Sequence, residues 1–168
     1  MRFPIVIATL LFSTSAFAAS HKAVCPGPAS PGSVRCHARV VTDQKGMPNA
    51  SSSPSGYQPA QFRTAYALTA TGSSSVTIGI VDAYNDPNIE SDLAVYSQQF
   101  GLPPCTTANG CFKKVNQTGG TSYPQNNAGW SLEIALDVEI AHANCPNCRI
   151  QLVEATSNSF ANLHAAED

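Results

Sequence analysis

Hydrophobic and polar positions along residues 57–168 predict strands and helices in alternation. Residues 76–82 form a nearly unbroken apolar, β-branched run, which predicts a strand buried on both faces. The remaining pattern predicts strands at 112–116 and 148–154 and helices at 59–68, 89–100, 129–143 and from 157 or 158 onward. This order predicts an α/β fold, with a parallel sheet flanked by helices and joined by right-handed crossovers.

The predicted helix over residues 129–143 carries two carboxylates on its apolar side. On a helical wheel, Trp130 and Ile140 bracket Glu133 and Asp137, which therefore lie in the middle of the apolar surface. The predicted solvent arc consists of Ser131, Ala135, Glu139 and His142. Because a core-facing helix rarely carries two acids in its apolar stripe, we regard Glu133 and Asp137 as the first candidates for a functional site.

The spacing of Glu133 and Asp137 makes the pair costly. Residues at i and i+4 have Cβ atoms about 5–6 Å apart, and like charges at that distance destabilise a helix. Sharing one proton relieves the repulsion and raises one pKa, as in many catalytic sites. Two interpretations stay open: a catalytic pair, or a polar notch satisfied by buried water or by backbone donors from another segment.

A third acid, Asp82, ends the first predicted strand. Ligand sites in parallel sheets lie at the carboxyl ends of the strands, so Asp82, Glu133 and Asp137 are expected to meet at one edge. The alternative interpretation of Asp82 is a turn-forming or helix-capping residue.

Composition and charge limit the possible partners. Charged residues make up 12% of the chain, about half of the usual share, and the net charge is −2. Without a basic field, nucleic acid is not expected as a partner.

The first 18 residues predict a secretory signal peptide, with Arg2, an apolar run from Phe3 to Phe12 and a small-x-small cleavage site at Ala16–Ala18. No later run approaches the roughly 18 apolar residues of a membrane span, so we expect a secreted protein without a membrane partner. Residues 19–56 predict a disulfide-closed segment and a linker, and residues 57–168 the compact domain.

Six cysteines in an exported chain favour disulfides. The sequence does not choose among the pairings, but short loops favour nearest neighbours: Cys25 with Cys36, Cys105 with Cys111, and Cys145 with Cys148. The Cys145–Cys148 spacing also fits a redox motif or half of a zinc site. Because no second Cys-x-x-Cys follows, a structural bridge is the favoured interpretation.

Three stretches, residues 57–66, 77–87 and 129–139, resemble the sedolisins, the serine-carboxyl peptidases. Their Glu-x-x-x-Asp helix motif is the most specific of the three. The resemblance implies a subtilisin-like fold, secretion, polypeptide substrates and activity in acid. It also implies that Glu133 is the general base and that Asp137 orients it. Carboxylates suit this role because histidine is protonated in acid. Asp82, from its place at the strand end, and Trp130 are candidates for the edge of the active site, and core packing is the alternative for Trp130.

The family's other catalytic groups have no counterpart here. Its nucleophilic serine lies in a Gly-Thr-Ser motif far downstream, as do its oxyanion Asp and its calcium site. Gly120-Thr121-Ser122 precedes the Glu133 helix, so we interpret it as a coincidence. We therefore expect an N-terminal part of a sedolisin-like domain, incomplete and inactive alone, cofactor-free apart from calcium in the missing part, and monomeric when completed.

Besides zinc or redox chemistry at Cys145 and Cys148, two other functions stay open. One is a secreted binding module that keeps the fold without the chemistry. The other is a glycoside hydrolase, which needs two carboxyl groups on opposite sides of a sugar bond. Acids one helical turn apart point in the same direction, which disfavours the glycosidase.

Overall fold

The computed structural model describes residues 20–48 and 56–168. The predicted signal peptide and most of the predicted linker lie outside the described residues. The secondary structure elements are β1 (His21–Ala23), β2 (Arg39–Val41), α1 (Pro59–Ala65), β3 (Thr77–Ala83), α2 (Ile89–Phe100), β4 (Phe112–Asn116), α3 (Ala128–Asn144), β5 (Arg149–Ala155) and α4 (Phe160–Glu167).

Strands β3, β4 and β5 form a parallel sheet in the order β3-β5-β4. The predicted α/β architecture, a parallel sheet flanked by helices, is confirmed. One detail of the prediction is wrong, because β3 is not buried along its whole length. Thr77 and Gly79 lie on the same face of the strand and are exposed, because none of the described residues packs on that face there, and burial is complete only at Asp82 and Ala83.

The core lies between the sheet and helices α2 and α3. Its fully buried side chains include Ile89 and Leu93 on α2, Ile134 and Val138 on α3, and Ile150 and Leu152 on the central strand β5. Strand β5 lies between β3 and β4, and its side chains Ile150 and Leu152 pack against residues of α2 and α3. Burial of these apolar side chains therefore holds the sheet and the helices together.

Helix α3 begins at an asparagine cap: the Asn127 side chain accepts hydrogen bonds from the N–H groups of Gly129 and Trp130. The predicted faces of this helix are partly wrong. Leu132 and Leu136 are 49% and 46% exposed, whereas His142, predicted to face solvent, is fully buried.

Two causes explain the rotation of the buried face of α3. The helix carries apolar residues on nearly every side, so periodicity cannot decide which face packs against the sheet. In addition, the His142 ring finds a buried partner, since its Nε2 lies 2.8 Å from the carbonyl oxygen of Pro103. Burial lowers the pKa of His142 and so favours the neutral ring.

The described N-terminal residues, 20–48, form a segment that we call the N-terminal clip. Strands β1 and β2 pair antiparallel within it. The clip lies against the domain: the Val34 N–H donates to the Asn158 carbonyl oxygen at 2.9 Å, and the Phe160 N–H donates to the Gly32 carbonyl oxygen at 3.0 Å.

All three predicted disulfides are present: Cys25–Cys36, Cys105–Cys111 and Cys145–Cys148. Cys145 and Cys148 are thus bridged, as favoured, and a structural rather than a redox role for this bridge stays a prediction. Within residues 20–48 and 56–168, no helix is long and apolar enough to cross a membrane.

Candidate active site

The acids singled out in the sequence lie near one another. Glu133 and Asp137 lie one turn apart on α3, and Asp82 lies in the C-terminal half of β3, close enough to interact electrostatically with both. Their exposure differs: Asp82 is 4% exposed, Glu133 is half-buried and Asp137 is exposed. The prediction that Asp137 lies within a buried apolar surface is therefore wrong, because Leu136 beside it also faces outward.

The Glu133 carboxylate is bound by backbone donors from the N-terminal clip. Its Oε2 accepts a hydrogen bond from the His37 N–H at 2.9 Å and a second, short one from the Ala38 N–H. Backbone donors from another segment, one of the two interpretations of the acidic pair, are thus present at Glu133. An ionised carboxylate is an acceptor only, so these two donors match its chemistry.

Asp82 is the most perturbed acid of the group. Its burial, followed by the charges of Asp137, Glu133 and Glu154, raises its pKa from the usual 3.8 to about 7. Its Oδ2 is buried and has no hydrogen-bond partner in the part of the chain that the structure describes. A protonated carboxyl group costs less in such a place than a charged one, so Asp82 is neutral in acid.

The surroundings of Asp137 also raise its pKa. Although the side chain of Asp137 is exposed, nearby protein atoms displace part of its hydration. This loss of hydration, followed by the neighbouring charge of Glu133, raises the pKa of Asp137 above 3.8. Together, Asp82 and Asp137 provide two carboxyl groups that retain protons more readily than ordinary acids. Such groups can donate to a neighbouring carboxylate in mildly acidic solution.

Trp130 lies in the first turn of α3, about one turn before Glu133. It is 7% exposed, and its ring centroid lies 6.4 Å from that of Tyr84, which follows β3. Tyr84 has a φ of 65°, an unusual backbone angle for a residue with a side chain, and its hydroxyl donates to Asn158 Oδ1 at 3.0 Å. Trp130 is thus mainly a packing residue, and Tyr84 stiffens the chain that leaves β3.

A buried ion pair near the carboxyl end of the sheet was not predicted. Glu154, taken from the sequence as a simple strand end, is fully buried, and its Oε1 lies 3.4 Å from Lys114 Nζ. The same ammonium donates to Asn85 Oδ1 and to the Asp86 carbonyl oxygen, both at 2.7 Å. The signal that could have revealed it is Lys114 itself, a charged residue between the apolar positions of a short strand.

Glu139, an acid outside the candidate site, also differs from the prediction. Glu139 was placed on the solvent arc, but it is half-buried, and burial followed by the charges of Asp92 and Asp86 raises its pKa from 4.5 to about 7. The cause is the packing of α2 against α3, which the sequence pattern of either helix alone does not show.

Among the described residues, one group brings together atoms of the types that bind metal ions. Cys105, Cys111 and His142 bring ligand atoms within 4.8 Å of one another, but the two cysteines are joined as a disulfide and supply no thiolate. The calcium site expected from the resemblance would lie downstream, and it stays a prediction. In Gly120-Thr121-Ser122, both hydroxyl residues are exposed in the loop after β4.

Comparisons with known proteins give one structural likeness. No model of a known protein family matches the sequence, and no curated protein matches it. The structure is similar to that of Pseudomonas sedolisin, a serine-carboxyl proteinase, complexed with two molecules of pseudo-iodotyrostatin. The TM-score is 0.50 with 19% sequence identity, and the match covers 66% of this chain but 30% of the sedolisin chain. At this identity the likeness concerns the fold, so the conclusion is that this chain has an α/β fold similar to part of the sedolisin structure.

Proposed function

We propose that this chain supplies the carboxyl groups of a secreted acid peptidase site of the serine-carboxyl type. Glu133 is the general base, Asp137 orients and tunes it, and Asp82 holds a proton beside them. The observation that carries the proposal is the placement of these acids: Glu133 and Asp137 lie one turn apart on α3, and α3 packs against β3, whose carboxyl end carries the buried Asp82. Ligands bind at that end of the strands in parallel sheets. The sedolisin-like fold supports the same assignment.

The chemistry follows from the protonation of the three acids. In acid, a serine hydroxyl transfers its proton to Glu133 as its oxygen bonds to the carbonyl carbon of the scissile peptide. Asp82, whose pKa is about 7, is then neutral and can donate a hydrogen bond to the adjoining carboxylates. We infer that the serine lies further along the polypeptide than Glu133, since the resemblance puts it after that helix.

One observation favours a second function, a secreted peptide-binding module without catalysis. Glu133 is held by two backbone donors, as a purely structural carboxylate would be. The glycosidase is not proposed, because Glu133 and Asp137 project from one helix and cannot flank a sugar from two sides.

Both functions involve an exported protein. Three disulfides fit an oxidising compartment, and this agrees with the signal peptide inferred from the sequence. Polypeptide is the proposed substrate or ligand.

The test uses the protein as its own host secretes it, identified by intact mass and peptide sequencing. Hydrolysis of an unfolded protein substrate is measured between pH 3 and pH 7 for the wild type, Glu133→Gln, Asp137→Asn and the control Glu167→Gln. Loss of a general base lowers the rate by about 10²–10⁴-fold, so Glu133→Gln should lose activity, and the exposed Glu167→Gln should retain it. Binding without hydrolysis in the wild type would support the binding module. Hydrolysis that survives Glu133→Gln would contradict the proposed mechanism.

A further inference from the structure

The N-terminal clip contacts the proposed general base through its main chain. The His37 and Ala38 N–H groups both donate to one oxygen of Glu133, Oε2. These two residues immediately precede β2 and are far from Glu133 in the sequence. Two consecutive amides aimed at one carboxylate oxygen form a small anion-binding arrangement.

We propose that His37 and Ala38 are positioning residues of the active site, whose main-chain N–H groups fix the Glu133 carboxylate for proton transfer. This inference rests on the proposed function, in which Glu133 is the base. It makes residues 20–48 part of the catalytic apparatus, although they contribute no side chain to the chemistry.

The clip is anchored well enough to hold a carboxylate in place. Cys36 and Ala38, 2% and 6% exposed, are buried, and Cys36 packs in a cluster with Ala83 and Trp130 next to the candidate acids. The Cys25–Cys36 disulfide closes the clip just ahead of the two amides. Because His37 directly follows the bridged Cys36, the amide pair has little freedom to move away from α3.

A glycine on α3 permits the close approach of this disulfide. A Cβ atom at Gly129 would lie 2.9 Å from Cys25 Sγ, nearer than side-chain carbons normally come to a sulfur atom. Any larger residue would push the clip away from the first turn of the helix. Gly129 lies one turn before Glu133 on α3, so the contact that seats the clip is next to the contact that binds the carboxylate.

The two oxygens of Glu133 then have separate tasks. A carboxylate oxygen has two lone pairs, and those of Oε2 receive the two amides, which leaves Oε1 to accept the serine proton. Glu133 and Asp137 make no direct hydrogen bond in the part of the chain that the structure describes. Main-chain amides do not titrate, so they can donate to the Glu133 carboxylate wherever it is ionised, whereas the carboxyl groups of Asp82 and Asp137 around it change charge.

The first experiment needs no activity. Amide proton shifts of the full chain are recorded by two-dimensional NMR between pH 2.5 and pH 7. If both amides bind the carboxylate, the His37 and Ala38 protons move upfield together on acidification, because they lose a charged acceptor. Glu133→Gln should abolish this movement, and Asp137→Asn should preserve it. Amides that do not titrate, or that titrate equally in Glu133→Gln, would overturn the inference. The side chain of His37 is exposed and could add its own titration, so His37→Ala, which keeps the amide, is run in parallel.

The second experiment removes one donor. Ala38→Pro lacks the N–H group, whereas Ala38→Gly keeps it. Carbodiimide labelling of Glu133 is read by mass spectrometry against the exposed and distant-in-sequence Glu167 in the same molecule. It should rise about tenfold in Ala38→Pro and stay unchanged in Ala38→Gly. Equal labelling in the two variants would refute the positioning role.

The two proposals fail in different ways. If the secreted protein hydrolyses no peptide while both amides titrate with Glu133, the peptidase proposal falls, and the carboxylate is held for a structural purpose. If hydrolysis depends on Glu133 but the amides do not titrate, the peptidase proposal stands and the positioning inference falls.

Discussion

Replacing Asp82 with Asn tests whether the acid at the end of β3 is kept neutral in the folded domain. Asparagine has nearly the shape of a protonated aspartate but cannot ionise. The substitution therefore leaves the low-pH state almost unchanged and removes the charge that develops in the wild type as the pH rises. We expect Asp82→Asn to stabilise the domain at neutral pH and to have little effect at pH 3.

The magnitude follows from the pKa of Asp82. Burial, Asp137, Glu133 and Glu154 raise it from 3.8 to about 7. A raised pKa means that the folded state binds the proton more tightly, so this stabilising contribution is complete below pH 3.8 and is lost as the pH rises toward 7. The loss is about 1.4 kcal/mol per pH unit across that interval, and about 4 kcal/mol in total. In the Asp82→Asn variant this loss does not occur.

The assay is urea unfolding with the disulfides intact, followed by circular dichroism at half-unit steps from pH 3 to pH 8. The difference in unfolding free energy between Asp82→Asn and wild type should be close to zero at pH 3 and rise to a plateau near pH 7. Glu167→Gln removes an exposed carboxyl group at the end of α4 and is the matched control. Its unfolding free energy should follow the wild type at every pH.

A difference between Asp82→Asn and wild type that does not vary with pH would refute this reasoning. It would mean that Asp82 has the same pKa in the folded and unfolded chain. A variant that is less stable than wild type at pH 7 would be a stronger contradiction, because it would show that the Asp82 carboxylate is ionised and usefully bonded in the folded state.

Two further substitutions test the packing around the site. Lys114→Met removes the cation that faces the buried Glu154, so the unfolding free energy of the domain should fall by about 3–5 kcal/mol at pH 7. The loss should be smaller in acid, where Glu154 is protonated. The control Lys113→Met, at the exposed neighbouring residue, should leave the free energy of urea unfolding nearly unchanged. Gly72→Ala and Gly110→Ala both add a side chain at a φ near +75°, but only the Cβ at Gly72 would clash with sulfur atoms of a disulfide. Gly72→Ala should therefore cost about 1–3 kcal/mol more than Gly110→Ala in the same assay, and equal losses would contradict the clash.

Much of the fold follows from local sequence patterns. The strong β-branched run at β3 and the periodicity of α2 are determined by nearby residues, so their positions could be predicted to within a residue or so. The disulfides could also be predicted, because short loops bring Cys105 near Cys111 and Cys145 near Cys148 whatever the rest of the chain does.

The orientation of helices and the partners of buried charges could not be predicted in this way. The face of α3 that packs inward depends on α2 and the sheet, and this is why His142 was expected in solvent but is buried. The donors to Glu133 come from His37 and Ala38, and nothing in their side chains indicates it, since the bonds are made by the main chain. Likewise, the burial of Glu154 depends on the register that sets β5 between β3 and β4.

The strand order β3-β5-β4 also has a consequence for how the domain folds. Strands β3 and β4 do not pair with each other, and both pair with β5, which follows them in the sequence. The sheet therefore cannot form before β5 is in place. The first pair in the register, Thr77 with Arg149, closes a long loop, and sheets built from such distant contacts form slowly. We therefore expect a folding intermediate in which helices and the short disulfide loops exist while the edges of β3 and β4 are unpaired. Until β5 docks, this intermediate is the state most prone to aggregation, because the edges of β3 and β4 are exposed.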